Sequence, residues 1–181
     1  MKNAATIFAA LALCVSLAAF GLSYKTYTTG TDVIHKEQRA YMAIDKDAMK
    51  LNADGTRDGY IIVKNFGLSP AFDVHTQTGT ALGAYPIQEK EFDAAPHEYH
   101  VQDFPTVAPN IAMQILFKTQ SMGPKQTEAF QAGKAAIYIF GKISYRDIFG
   151  KTHINEFRTY ETAQTQGQSL QLDFERETEE K

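Results

Sequence analysis

The 181-residue sequence has a single cysteine, and Cys14 falls inside an apolar N-terminal run, so the rest of the chain holds no thiol for a disulfide framework. A basic excess is also lacking. The 18 Lys and Arg against 21 Asp and Glu give a formal charge of -3 and a pI near 5.9. That balance leaves no footprint for nucleic acid, because phosphate binding needs clustered cations that displace counterions. No Gly-x-Ser-x-Gly elbow occurs. No long amphipathic helix pattern separates the strand patterns, which excludes a parallel α/β sheet. Neither a cofactor motif nor a small-molecule substrate site is legible.

Charge is absent from Ala4 to Leu22, 19 residues. At about 1.5 Å per residue, a helix of that length nearly matches the roughly 30 Å hydrocarbon core of a bilayer. Residues 1–22 therefore read as a transmembrane anchor or as a signal segment, the second because Lys2 gives a minimal positive start and Ala18, Ala19 and Gly21 are small. A lipoprotein is disfavoured by the bulky Leu13 before Cys14. The signal-like shape places the body outside the cytoplasm, as a single-pass inner-membrane protein with a periplasmic domain. Lys25, Lys36 and Arg39 after the run favour the reverse orientation. Residues 23–38 read as a polar spacer in which Thr26, Thr28, Thr29 and Gly30 predict a break in the helix.

Residues 39–162 have the patterns of an antiparallel β domain. Arg39–Asp45 is a first strand, followed by the turn Asn52–Gly55. From Tyr60 to Gln77, two strands flank a break at Asn65, Gly67, Ser69 and Pro70, where Gly67 is free to take either positive or ordinary φ, and Phe72, Val74 and Thr76 share a core face. Tyr85–His100, with two prolines among charges, reads as a surface excursion. A strand resumes near His100–Phe104, and Pro105 and Pro109 bracket a turn. The cleanest alternation follows, with Ile111, Met113, Ile115 and Phe117 inward. A short helix is expected over 124–132, closed by Gly133. Ala135–Arg146 and Thr152–Tyr160 form the strongest hairpin, around the turn Asp147–Lys151. Residues 163–181 read as a polar, acidic tail, largely disordered, with 169–174 as a candidate edge strand. The fold class is mainly β, an antiparallel sandwich with one N-terminal helix and one short helix.

The segment Val63-Lys-Asn-Phe-Gly-Leu-Ser-Pro-Ala-Phe-Asp-Val74 resembles the strand, turn, strand pattern of bacterial immunoglobulin-like adhesion-type modules. Taken with the N-terminal helix, the Arg39-Ala-Tyr41 entry and Gly141–Gly150, the chain is similar to a group of membrane-anchored proteobacterial proteins of uncharacterised role. The resemblance implies an immunoglobulin-like β-sandwich and an anchor, and brings no functional residues.

Three constellations bear on chemistry. His97 and His100, with His75, His153, Asp93 and Asp103, offer metal-ligand types, but a zinc site needs a fixed set of ligands and the sequence does not bring these together; a solvated loop is the simpler reading. Ser144, Asp147 and His153 supply the residue types of a hydrolytic triad without a nucleophile elbow, so Asp147 reads as a turn residue and the other two as strand faces. Lastly, Tyr138, Phe140 and Phe149, with Phe157 and Tyr160, give the hairpin large apolar groups on both faces. One face must be covered by the chain itself or by a protein partner, which makes Tyr138, Phe140 and Phe149 a candidate interaction surface. The expected function is a non-enzymatic, membrane-anchored interaction or envelope-assembly module, with no cofactor and no metal. The alternatives are a metal-dependent or hydrolytic enzyme and a cytoplasm-facing tethered domain.

Overall fold

The computed structural model describes residues 2–87 and 100–179, with the side chains of residues 2–12, 32, 173 and 174 outside the description. Expectations resting on Asp93 and His97 therefore fall outside the described residues. The chain divides into two compact units, residues 1–38 and 39–181.

The first unit is one helix, α1 (Lys2–Gln38). The expected break in residues 23–38 does not occur. Thr26, Thr28 and Thr31 donate their hydroxyls to carbonyls three or four residues back, at 2.8–3.1 Å, so the threonines satisfy themselves within the helix instead of ending it. Among the described residues no helix is long and apolar enough to cross a membrane, and residues 4–12 of the Ala4–Leu22 run have side chains outside the description. From Leu13 onward, Val15, Leu17, Phe20, Leu22 and Tyr24 are 63–72% exposed.

The second unit is built from two antiparallel sheets. One has the order β1 (Met42–Leu51), β2 (Arg57–Asn65), β5 (Ala112–Lys118). The other has the order β4 (His100–Val107), β3 (Ala71–Ala84), β6 (Ala135–Arg146), β7 (Thr152–Glu161), β8 (Gln171–Glu179). A short helix, α2 (Pro124–Gln131), joins β5 to β6 and ends before Gly133 at φ 70. One apolar cluster takes Met42, Ile61, Ile115 and Phe117 from the first sheet, Val74, Ile139, Tyr145 and Phe157 from the second, and Phe130 from α2. Each such fully buried side chain contributes roughly 1.5–3 kcal/mol.

The break between β2 and β3 carries the chain from one sheet to the other, and Asn65 organises it. This residue is 0% exposed; its Oδ1 accepts from the N–H groups of Tyr41 and Gly67, while Nδ2 donates to the carbonyls of Ser69 and Val107. Gly67 is not among the residues at positive φ. It is required for a different reason. A Cβ there would be pressed against the Arg39–Tyr41 backbone, 2.5 Å from Tyr41 N.

Two strand-face expectations and one turn are corrected. Asp73, at φ 51, sits in a bulge between β3 and β6, which turns Phe72 off the core face and under the Arg146 guanidinium, 5.8 Å from the ring centroid. Ile111 precedes β5 beside Asn110 at φ 61 and is 54% exposed, whereas Met113, Ile115 and Phe117 are buried. Pro105 lies within β4 rather than in a turn, which an edge strand tolerates.

The tail is corrected as well. Residues 171–179 form a full edge strand on β7, because the charges that read as solvated have fixed partners: Arg176 with Glu156 at 2.5 Å, Lys151 with Glu179 at 2.6 Å and Arg39 with Glu177 at 2.8 Å.

Candidate functional site

The β6–β7 hairpin closes through a five-residue turn that Asp147 holds shut. Its backbone N–H donates to the Lys151 carbonyl at 3.0 Å, and its Oδ1 accepts from the N–H groups of Phe149 at 2.8 Å and Lys151 at 3.0 Å. Gly150 supplies the left-handed position at φ 80. The other carboxylate oxygen, Oδ2, lies 2.8 Å from His153 Nε2. Burial pushes the Asp147 carboxyl up, but the bonds from His153 and from the Lys151 and Phe149 amides outweigh it and hold the group below the ordinary carboxylate range.

His153 is 0% exposed and has both ring nitrogens engaged. Arg39 Nη1 stands 2.9 Å from Nδ1. A guanidinium only donates, so Nδ1 is the acceptor and Nε2 carries the proton to Asp147, a tautomer assigned from its partners. The Tyr145 ring stacks on the imidazole with centroids 5.2 Å apart. Arg39 continues through Nη2 to Glu177 Oε2 at 2.8 Å, and the Tyr145 hydroxyl donates to Glu177 Oε1 at 3.0 Å. Burial, and after it the Glu177 charge, pushes the Tyr145 phenol well up.

This network joins the start of the domain, the hairpin and the last strand. It leaves no base free, because an arginine donor occupies the one imidazole lone pair. The expected association of Asp147 with His153 is present, but Ser144 stands opposite Ile154, one residue from the Tyr145–His153 pair and so on the other face of the sheet. Arg39 and Glu177 were not legible as members, since they lie 114 and 24 positions from His153 and no local pattern links them.

The remaining candidates are dispersed. His75 contacts Asp103 across β3 and β4 on an exposed face. Among the described residues no group of three or more His, Cys, Asp or Glu is placed to hold a metal. Tyr138 and Phe140 are 1% and 5% exposed, packed with Ala136 against Ala81, Ile87 and Tyr160, and the Tyr138 hydroxyl donates to the Ala84 carbonyl at 2.9 Å. Being covered by their own chain, the two rings give no surface to a partner. Phe149 is half-buried in the turn.

A second buried charged pair escaped sequence reasoning. Arg57 Nε lies 3.2 Å from Glu161 Oε2, with side chains 3% and 2% exposed, and the guanidinium stands 5.0 Å from the Phe130 centroid. Burial pushes the Glu161 carboxyl up by more than the Gly167 N–H and Arg57 pull it down. A cleft of about 570 Å³ opens between β4 and β5 and is lined by Asp58, His100, Val101, Leu116 and Lys118. Among the described residues that line it, none is a nucleophile paired with a base.

A family model described as "Domain of unknown function (DUF8453)" matches residues 4–164. No curated protein matches the chain.

Proposed function

The chain belongs to the DUF8453 family, whose match takes in α1 and β1 through β7, and from that premise we propose a non-enzymatic, membrane-anchored interaction or envelope-assembly module. The observation that carries this reading is the charge-free run Ala4–Leu22, set within a 37-residue helix that directly precedes the β domain. A helix that leaves Leu13, Leu17, Phe20 and Leu22 open to solvent in the single chain is matched to an apolar surround. The strand order supports an immunoglobulin-like sandwich. With β1, β2 and β5 as strands A, B and E, and β4, β3, β6 and β7 as C′, C, F and G, the chain follows a Greek key, with β8 added at the G edge. The likeness to membrane-anchored proteobacterial proteins belongs to the same proposal. A structural role for the domain is supported by the closed Asp147–His153–Arg39 network, in which the groups that resemble catalytic residues are consumed by each other.

The domain faces the periplasm in this reading. The cations Lys25, Lys36 and Arg39 after the apolar run favour the cytoplasmic alternative, so topology is the measurement to make. With a reporter fused after Lys181, periplasmic activity together with retention in carbonate-washed membranes is expected. Cytoplasmic activity overturns the orientation, and release of the full chain by carbonate overturns the anchor.

A further inference from the structure

Each sheet ends in two open edges, and the sequence guards them unevenly. On β1 the ladder shifts between Ile44 and Lys46, and the strand carries Asp45, Lys46, Asp47 and Lys50. On β4 Pro105 removes a donor and Asp103 brings a charge, while β8 carries Glu175, Arg176, Glu177 and Glu179. These are the devices that keep a sheet edge from pairing with another chain. The β5 edge has none of them. Ala112–Lys118 holds no proline, no glycine and no charge before Lys118, and its register with β2 runs without a shift. Leu116, on its outward face, is 59% exposed.

The backbone of this strand faces two ways. Thr119 N–H donates to the Arg57 carbonyl at 2.8 Å and Asn65 N–H to the Ile111 carbonyl at 3.0 Å, so the bonded pairs of the β2–β5 ladder fall on the odd-numbered residues of β5. Met113, Ile115 and Phe117 therefore turn their N–H and C=O groups to β2, and Gln114 and Leu116 turn theirs away from it. Among the described residues no strand lies beyond that edge, and no hydrogen bond engages the Gln114 and Leu116 backbone. Unpaired main-chain donors and acceptors at strand spacing are complementary to a second extended backbone. Beside them, the cleft of about 570 Å³ between β4 and β5 can receive every second side chain of such a strand. Val101, Leu116 and Phe117 line it with apolar surface, and Gln102, in the same lining, has a buried Oε1 acceptor with no hydrogen-bond partner. We propose that the β5 edge takes up an extended segment of a partner protein by strand addition, one with β-branched apolar residues at the alternate positions that enter the cleft. This names the partner class for the interaction module and rests on that reading, yet strand addition depends neither on the anchor nor on its orientation, so each can fail without the other.

The test uses the full chain in detergent and, as probe, a fluorescein-labelled peptide of alternating valine and threonine long enough to run beside Ala112–Lys118. Saturable binding by fluorescence anisotropy is expected, together with slowed hydrogen exchange at the Gln114 and Leu116 amides. Gln114→Pro removes an outward donor while sparing the bonds to β2, and should weaken binding by about tenfold or more. Gln114→Thr, which keeps the amide, should bind as the native chain does. Where Gln114→Pro does not fold, the peptide N-methylated at its backbone amides is offered to the native chain and should not bind. No saturable binding overturns the proposal, as does undiminished binding by folded Gln114→Pro, equal binding of the N-methylated peptide, or protection confined to other edges. Self-association of the full chain that Gln114→Pro abolishes overturns it as well, by giving the edge to a second copy.

Discussion

Gly141 stands directly across from Phe157 in the β6–β7 ladder, and the ring lies over the glycine so that a Cβ at 141 would overlap it. The same device recurs in the other sheet, where Gly59 faces Phe117. Each ring fills the space above a missing side chain. Gly141→Ala is expected to destabilise the domain by about 2–3 kcal/mol through overpacking, read as a lower urea midpoint at unchanged slope. Gly150→Ala, at φ 80 with open space around it, should cost only about 1 kcal/mol of backbone strain.

At Gly67 the expectation changes with the cause. Since φ there is not positive, a residue tolerant of left-handed backbone brings no relief, and Gly67→Asn should be as damaging as Gly67→Ala, each by about 2–3 kcal/mol. Equal midpoints for the two variants confirm close approach to the Arg39–Tyr41 backbone. Recovery by asparagine would restore the left-handed reading.

Arg57 and Glu161 are buried together, so each alone is a liability. Arg57→Met strands a carboxylate in the core and is expected to cost about 3–5 kcal/mol. Replacing both, as Arg57→Met with Glu161→Leu, should recover most of that loss. Thermal midpoints of the four members of the cycle check it, and additive losses would mean that the pair is not coupled.

The Asp147 and Tyr145 shifts act at opposite ends of the pH scale. Asp147 is depressed in the fold, so its contribution is complete above about pH 4, near its unfolded value, and fades as pH falls through the folded one. Asp147→Asn should lower stability by about 1.5–3 kcal/mol at neutral pH, and the gap should close in acid. Tyr145 is raised, so its contribution is complete below about pH 10 and is lost as pH climbs beyond it. Tyr145→Phe loses about 1 kcal/mol at pH 7 with the hydroxyl bond to Glu177, yet should show a flatter alkaline decline. Chemical denaturation across pH reads both limbs.

Much of the fold was legible where local chemistry decides it. The expected helix over 124–132 and the strand Ala135–Arg146 match α2 and β6, because Pro124, Gly133 and the run of β-branched and aromatic residues punctuate the chain unambiguously. Misreadings arose where distant residues overrule local preference. The glutamates of β8 look disordered until Arg39 and Lys151 are brought beside them, and Gly67 looks like a turn glycine until Arg39–Tyr41 is laid against it. A bulge of one residue at Asp73 likewise moved Phe72 to the other face. The candidate site was half legible. Asp147 and His153 are close in sequence and meet, whereas the groups that neutralise their chemistry come from the two ends of the domain.

The 2.8 Å bridge between Arg39 and Glu177 ties the first residue of the β domain to its last strand. The apolar cluster between the two sheets draws on β1 to β7 and α2 and on none of the described residues of β8, so this ion pair closes an edge of the sandwich and not its core.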